Sequence, residues 1–430
     1  MTSAPTPDPI PGSNAKLPAS LSLGVIGNCA FSALIDAHGR LVWSCLPRFD
    51  GDPVFNALLD DSEKGSDFAI ELEAFSHAEQ MYVPNTAVLR TRLYDQHGQA
   101  VEITDFAPRF TSRDRDFRPM MIVRRVRPLH GWPRIRVRVN PRFDWGRTEP
   151  HITRGSNHLR YVGPDLTLRL NTNAPLSHVL AQTAFVLPGE LNFLLGSDET
   201  LQTGIAETAR DFEQKTTDYW RQWTRRLALP LEWQDAVIRA AITLKLSLYE
   251  DTGAIIAAMT TSIPEAPGSS RNWDYRYCWL RDAFFVVRAL NSLSEVATME
   301  DYLRWMSNVV IDSQGGHIQP LFGIGLEKSL PESFVDNLPG YRGMGPVRVG
   351  NQAQEHFQHD VYGNVILGAA QAFHDHRLLH RAGAREFRAL ERVGEQAVRV
   401  FDQPDAGMWE LRTRARILSL IHISEPTRLG

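Results

Sequence analysis

Residues 271–283 combine aromatic and charged side chains at high density. The stretch reads RNWDYRYCWLRDA and contains two Trp, two Tyr, three Arg and two Asp. Flat aromatic faces beside charged, hydrogen-bonding groups suit a sugar ring, which has apolar C–H faces and a rim of hydroxyls. A core helix would hold fewer charges, and a solvated loop would hold fewer aromatic rings. The composition therefore favours a carbohydrate-binding loop.

Glu410 is a candidate catalytic carboxyl group. Hydrolysis of a glycosidic bond takes two carboxyl groups, one of which protonates the leaving oxygen. That acid must stay protonated near neutral pH, so it needs an apolar surrounding that raises its pKa. Glu410 lies between Trp409 and Leu411, with Met408 beside them. From these residues alone, a surface Glu after a glycine turn is the better interpretation.

Four segments, in order along the chain, resemble motifs of glycoside hydrolase family 15, the glucoamylase-like and bacterial trehalase-like enzymes. The first runs from LGVIGNCA at 23–30 to PRFDG at 47–51, and the second is the loop at 271–283. The third is GYRGMGPVRVGN at 340–351 followed by QHDVYG at 358–363, and the fourth is DAGMWELR at 405–412. The resemblance implies an antiparallel β-sandwich joined by a linker helix to a toroid of six helical hairpins.

The same resemblance implies roles for individual residues. Glu410 corresponds to the general acid, and Arg281 with Asp282 to the pair that grips the hydroxyls of the terminal glucose. Four further positions are implied to bind substrate: Trp279, Arg348, Asp360 and Trp409. For Arg348 and Asp360, a structural salt bridge remains the alternative. For Trp279, stacking on the sugar and plugging the mouth of the barrel remain equal alternatives. Since barrel loops converge at one end, we expect the charged members of this set to line one concave surface.

Two positions differ from the family pattern and leave the substrate preference open. Asn364 follows Tyr-Gly where the family usually has Glu, and Leu411 stands where many glucoamylases have a second Glu. The resemblance ends near Arg414, and within the tail at 415–430 the segment 419–428 resembles a translated adapter sequence. We therefore expect a non-native tail, an incomplete barrel, no position for the catalytic base, and a chain that is inactive and poorly soluble.

Hydrophobic periodicity predicts the elements that must position these residues. From about Leu21 to Ser197 the period is two, which is typical of an antiparallel β-sandwich. The predicted strands are 32–36, 40–44, 88–94, 100–105, 120–126, 134–139, 166–170, 181–186 and 191–195. After Thr203 the period becomes 3.6, with no strand expected before the tail. The predicted helices are 206–227, 233–249, 281–293, 298–310, 361–376 and 384–401.

These patterns divide the chain into five parts. We expect a disordered arm at 1–20, the β-sandwich at 21–202, a linker helix at 203–230, a partial (α/α) barrel at 231–414 and the tail at 415–430. The first part lacks the basic and apolar regions of a secretory signal.

The charge and the residue composition argue against several classes of binding partner and cofactor. The net charge of −4 argues against nucleic acid or an anionic membrane as the main partner. Three cysteines give no disulfide framework and favour a reducing, cytoplasmic compartment. Neither His356 with His359 nor His374 with His376 forms a metal motif, so we expect no metal and no cofactor.

Three functions remain open at this stage. The first is an inverting glycosidase that releases glucose from the non-reducing end of trehalose or short α-glucans. The second is a disaccharide phosphorylase of related fold, in which phosphate replaces the water and the base. The third is a sugar-binding fragment without activity.

Overall fold

The alternating sequence of the first two hundred residues folds into antiparallel sheets. A computed structural model describes residues 19–313, 316–412 and 414–417. The predicted arm and tail lie mostly outside these residues. The strands of this half are β1 (Leu23–Gly27), β2 (Ser32–Asp36), β3 (Leu41–Leu46), β4 (Asp52–Phe55), β5 (Phe68–Leu72), β6 (Phe75–Tyr82), β7 (Leu89–Asp95), β8 (Ala100–Phe106), β9 (Phe110–Ser112), β10 (Arg115–Phe117), β11 (Met121–His130), β12 (Arg134–Val139), β13 (His151–Arg154), β14 (His158–Val162), β15 (Thr167–Thr172), β16 (Phe185–Val186) and β17 (Leu191–Ser197).

Two large sheets share one hydrophobic core. The first sheet has the order β1-β2-β3-β5-β12-β16, with β4 on β3, and the second has the order β13-β14-β15-β17-β11-β8-β7-β6. Ile35, Phe68 and Val137 from the first sheet join Ile103 and Leu195 from the second in a single buried cluster. The sheets therefore pack face to face, as the period-two pattern predicted.

One strand prediction in this half is wrong in part. Residues 181–186 were expected to be extended, but the helix α1 (Leu176–Ala181) takes the first of them and only Phe185–Val186 is a strand. Leu176 and Val179 are the buried residues of α1, at a spacing of three that suits a helix. Gln182 then ends the helix in a left-handed conformation.

The second half of the described chain is mainly helical. Its helices are α2 (Ile205–Arg225), α3 (Gln234–Leu246), α4 (Leu280–Ser292), α5 (Ala297–Ser313), α6 (Asp360–His374) and α7 (Ala384–Val400). All six predicted helices are present, with ends shifted by a few residues. The helix α4 packs against α3, α5 and α6, and α7 packs against α5 and α6. Trp220 and Trp223 of α2 are buried against α3, which fixes the linker helix between the two halves.

The expectation of no strands in this half is wrong. Three two-stranded antiparallel ladders cross-link its loops. Their strands are β18 (Leu248–Tyr249), β19 (Ala254–Ile255), β20 (Cys278–Trp279), β21 (Leu321–Phe322), β22 (Ser333–Phe334) and β23 (Arg348–Val349). Two residues are too few to produce a detectable alternation, so periodicity could not reveal them. Among the described helices, none is long and apolar enough to cross a membrane.

Candidate active site

The aromatic loop at 271–279 is built around a buried ion pair. Asp274 and Arg276 are fully buried and form two hydrogen bonds, at 2.9 and 2.8 Å. Arg276 also donates to the Gly51 carbonyl oxygen at 2.7 Å and lies over the Trp145 ring, with 4.9 Å to the ring centroid. Gly51 and Trp145 belong to the β half of the chain. The β-sheet half therefore contacts the loop through Arg276 and supports it.

The helix α4 begins directly after this loop and presents two charged residues in its first turn. Trp279 caps the helix in an extended conformation, while Leu280 and Ala283 are buried beneath it. Arg281 and Asp282 lie between these anchors. A carboxylate in the first turn is favoured by the helix dipole, which accounts for Asp282 at this position.

The start of α6 adds polar groups beside Arg281. Asp360 is in the first turn of α6, and one of its oxygens lies 3.5 Å from Arg281 Nη1. Gln358 accepts a hydrogen bond from the same Arg281 nitrogen at 3.3 Å. Asn364 donates to Asp360 at 3.0 Å. The unusual Asn364 therefore supports a site carboxylate instead of adding a further charge.

Glu410 lies on a tight turn at residues 405–412, the acid turn. Gly407 and Glu410 both have positive φ, at 61° and 50°, and the Glu410 N–H donates to the Gly407 carbonyl oxygen at 3.0 Å. Asp405 accepts from the His359 N–H at 2.7 Å, which ties the turn to the start of α6. The Ala406 N–H donates to the Phe357 carbonyl oxygen at 2.9 Å. These bonds bring the fourth motif next to the third.

The Glu410 carboxyl group contacts the aromatic loop. Its Oε1 accepts a hydrogen bond from the Trp279 indole N–H at 2.7 Å. Burial raises the pKa of Glu410, and the Trp279 bond, the Arg281 charge and the Gln358 amide oppose this only in part. The negative charge of Asp282 raises the pKa further. A carboxyl group of this kind stays protonated to higher pH than an exposed Glu, as a general acid must.

Asp282 and Asp360 have spare hydrogen-bonding capacity. Burial raises the pKa of each, and the Arg281 charge opposes that rise in both. Asp282 Oδ2 and Asp360 Oδ1 are buried oxygens that accept no hydrogen bond from the protein, although Asp282 Oδ2 lies 3.4 Å from Arg281. Buried acceptors normally have donors. Hydroxyl groups of a bound sugar would supply them.

Among the described residues, the remaining two predicted site residues form no hydrogen bond or ion pair with the side chains that the structure brings together. The structure brings Trp279, Arg281, Asp282, Asp360 and Glu410 together. Arg348 instead pairs with Glu332, and its guanidinium lies over the Trp273 ring at 4.8 Å from the centroid. Trp409 is 71% exposed.

Several residues at the site were not singled out from the sequence. Gln358 and Tyr275 lie inside the quoted motifs, so their proximity to Arg281 and Glu410 could have been considered. Glu332 and Arg412 form an ion pair at 2.7 Å. No motif contains Glu332, and only the folded chain reveals this pair.

Comparisons with known proteins agree with this architecture. A model of the glycosyl hydrolases family 15 matches residues 232–424, which extends ten residues beyond Arg414, where the resemblance of the motifs ends. A trehalase-like N-terminal model matches residues 14–178. Together the two matches cover both halves of the chain. The chain belongs to glycosyl hydrolase family 15, with a trehalase-like N-terminal domain.

Curated relatives carry the name trehalase. A trehalase of Thermoplasma volcanium is 28% identical over 408 residues, covering 91% of this chain and 63% of that protein. A trehalase of Mycolicibacterium smegmatis is 29% identical over 459 residues, covering 96% of this chain and 66% of that protein. A trehalase of Mycobacterium tuberculosis is 30% identical over 416 residues, covering 89% of this chain and 59% of that protein. The chain thus spans about three fifths to two thirds of the length of these relatives.

Proposed function

We propose that the protein to which this chain belongs hydrolyses an α-glucoside from its non-reducing end, with trehalose as the first substrate to test. Glu410 is the general acid. The observation that carries this proposal is the position of the Glu410 carboxyl group: burial raises its pKa, and the Trp279 indole donates a hydrogen bond to one of its oxygens at 2.7 Å. The names of the relatives support trehalose as the substrate.

The neighbouring charged residues bind the terminal glucose. Arg281 donates to hydroxyl oxygens, while Asp282 Oδ2 and Asp360 Oδ1, which accept no hydrogen bond from the protein, accept from hydroxyl hydrogens. Charge-assisted hydrogen bonds of this kind are directional and distinguish sugar epimers. The exposed ring of Trp409 offers a flat apolar face to the second sugar.

The mechanism inverts the anomeric centre and needs a second carboxylate. In an inverting enzyme that base stands about 6.5–9.5 Å from the acid and activates a water molecule on the opposite face of the sugar. We assign the base to the part of the relatives' length that this chain does not span. Residues 1–430 alone should then bind sugar but hydrolyse it very slowly. Acid and base together suffice for this chemistry, so the proposal includes no cofactor.

The helices form part of an (α/α) toroid in this proposal. An open cavity of about 940 Å³ lies among α5, α6 and α7 and is lined by apolar side chains such as Met306, Phe373 and Leu390. Further helices of a toroid would cover such a surface. A cytoplasmic location is part of the same proposal, because the three cysteines are free thiols, as a reducing compartment would leave them.

Product analysis tests the proposal. Residues 1–430 and a form extended to the length of the relatives are incubated with trehalose or maltose, with and without phosphate. We expect the extended form to release glucose from trehalose. The first NMR spectra should show α- and β-glucose in equal amounts, because the ring that is attacked inverts to β-glucose and the other ring leaves as α-glucose. Glucose 1-phosphate as the product would instead identify a phosphorylase. If both forms bind sugar and neither hydrolyses it, the remaining hypothesis is a sugar-binding protein without activity.

A further inference from the structure

A single carboxylate, Glu332, holds two arginines beside the aromatic loop. Its oxygens accept hydrogen bonds from Arg412 Nη2 at 2.7 Å and from Arg412 Nη1 at 3.0 Å, a bidentate arrangement. Arg348 donates to the same Glu332 carboxylate from across the β22–β23 ladder. All three side chains are largely buried. Bidentate pairs of this kind fix orientation as well as distance.

Arg412 is also held by the aromatic loop. Its guanidinium lies over the Trp273 ring at 3.7 Å from the centroid, close enough for a strong cation–π contact. Trp273 is itself fixed by a hydrogen bond from its indole N–H to Glu265 at 2.8 Å. Arg412 therefore has little freedom to move relative to the loop.

Arg412 lies two residues after Glu410. The contacts that hold Arg412 therefore also hold one end of the acid turn. The other end of the turn is tied by Asp405 to the His359 N–H. Between these ties Glu410 adopts a positive φ, a conformation that a non-glycine residue rarely adopts unless its surroundings impose it. The two ties are among the constraints that impose it, together with the backbone hydrogen bonds within the turn.

The charge at Glu332 is maintained by its partners. Burial alone would raise the pKa of Glu332, but the hydrogen bond from Arg412 and the positive charges of Arg412 and Arg348 lower it below its ordinary value. Both arginines stay charged at any pH at which proteins fold. The clamp formed by Glu332, Arg412 and Trp273 therefore persists across the range in which Glu410 exchanges its proton.

We infer that Glu332 is a positioning residue for the acid: through Arg412 it holds the turn that carries Glu410 against the Trp279 indole. This rests on the proposed function, since Glu410 must be the acid for its position to govern turnover. Glu332 does not contact Glu410 itself among the described residues. Its effect is transmitted through Arg412 and two peptide units.

The test compares Glu332→Gln with the unsubstituted, extended protein. The amide keeps the size of the side chain but removes the charge that holds both arginines. A misplacement of about 1 Å at a reacting group can cost about 100-fold in rate, so we expect kcat to fall by about 10- to 100-fold with KM changed by less than about threefold. The alkaline limb of the kcat profile should move to lower pH, because a loosened Glu410 is better hydrated and its pKa falls.

Glu190→Gln is the matched control, because it breaks another partly buried Arg–Glu pair, with Arg125, in the β-sheet half. It should leave kcat and the pH profile unchanged. Arg412→Lys keeps the charge but loses the bidentate geometry, so it should lie between Glu332→Gln and the unsubstituted protein. If Glu332→Gln changes kcat and the profile no more than Glu190→Gln does, the inference is wrong.

Hydrogen exchange separates this inference from the proposed function. In Glu332→Gln, peptides covering 405–412 should exchange faster, while peptides of α4 covering 283–292 should not. Unchanged exchange at 405–412 overturns the clamp whatever the activity. Faster exchange in a protein that hydrolyses no α-glucoside supports the clamp as an anchor of the turn and rejects the proposed function.

Discussion

The aromatic loop and the acid turn contact each other through the Trp279–Glu410 hydrogen bond and through Arg412 over the Trp273 ring, but they are held in opposite ways. In the loop, Asp274 and Arg276 are completely buried, and their contacts reach the β-sheet half of the chain. In the acid turn, Trp409 is exposed and Glu410 has a positive φ. The loop is held by burial and the turn by a few directional bonds at its two ends.

The contrast indicates that the loop and the turn have different structural requirements. In the proposed function the loop binds sugar and must keep its shape in water, and burial provides that. In the same proposal the turn must present one carboxyl group, that of Glu410, at a fixed point, and local strain is tolerated when it serves function. Substitutions in the loop should therefore act first on stability, and substitutions in the turn should act first on turnover.

Glu410→Gln is the strongest test of the turn. Loss of a general acid lowers turnover by about 10²–10⁴-fold, and the amide cannot donate the required proton to the leaving oxygen. We expect a loss in this range for trehalose hydrolysis by the extended protein, with an unchanged circular dichroism spectrum. Glu395→Gln on α7, where Glu395 faces Arg399, is the control and should be fully active. Retained activity in Glu410→Gln would place the acid elsewhere.

Asp274→Ala is the corresponding test of the loop. The substitution leaves the Arg276 charge buried without its partner, and breaking a buried ion pair in this way costs about 3–5 kcal/mol. Urea unfolding should show this loss in the free energy of unfolding. The control is Glu73→Gln, which breaks an exposed pair with Arg134 and should cost no more than about 1 kcal/mol. Equal effects of the two substitutions would contradict the idea that burial holds the loop.

Much of the fold could be predicted from periodicity. The helices α4 to α7 bury apolar residues on one face, so each gave a clear 3.6-residue pattern. The strands that the sequence did not predict are β1, β4, β5, β6, β9, β10, β13 and β14. Of these, β6 and β13 carry mainly exposed or half-buried residues that produce little alternation. The order of strands in the sheets depends on pairing between strands that are distant in sequence, and hydrophobic periodicity does not predict that pairing.

The site was predictable where chemistry is concentrated in short segments. The aromatic and charged residues at 271–283 marked the loop directly, and the resemblance added Glu410 and Asp360. The partners of Arg348 were not predictable, because Glu332 lies in a segment with no motif. The contact between Trp279 and Glu410 joins residues 131 positions apart. Only packing of the loop against the turn produces such a pair.

Trp279→Phe tests the hydrogen bond from the aromatic loop to Glu410 of the acid turn. The indole hydrogen bond lowers the pKa of Glu410, so removing the donor should raise that pKa. The acid then stays protonated to higher pH, and the alkaline limb of the kcat profile should move upward. Loss of this one orienting bond should also lower kcat by about tenfold, the equivalent of about 1.4 kcal/mol. A limb that moves to lower pH would show that hydration of Glu410 outweighs the lost bond.

Trp409→Ala should have the smallest effect, and it distinguishes an exposed ring that binds sugar from one that does not. An aromatic contact contributes about 0.5–1.5 kcal/mol, so KM for trehalose should rise by about two- to twelvefold while kcat stays the same. Because the ring is 71% exposed, the melting temperature should not change measurably. Trp132, 69% exposed and located in the β-sheet half, supplies the control Trp132→Ala, which should alter neither KM nor stability. A loss of stability in Trp409→Ala would mean that the ring supports the turn, whereas an unchanged KM would exclude it from the sugar site.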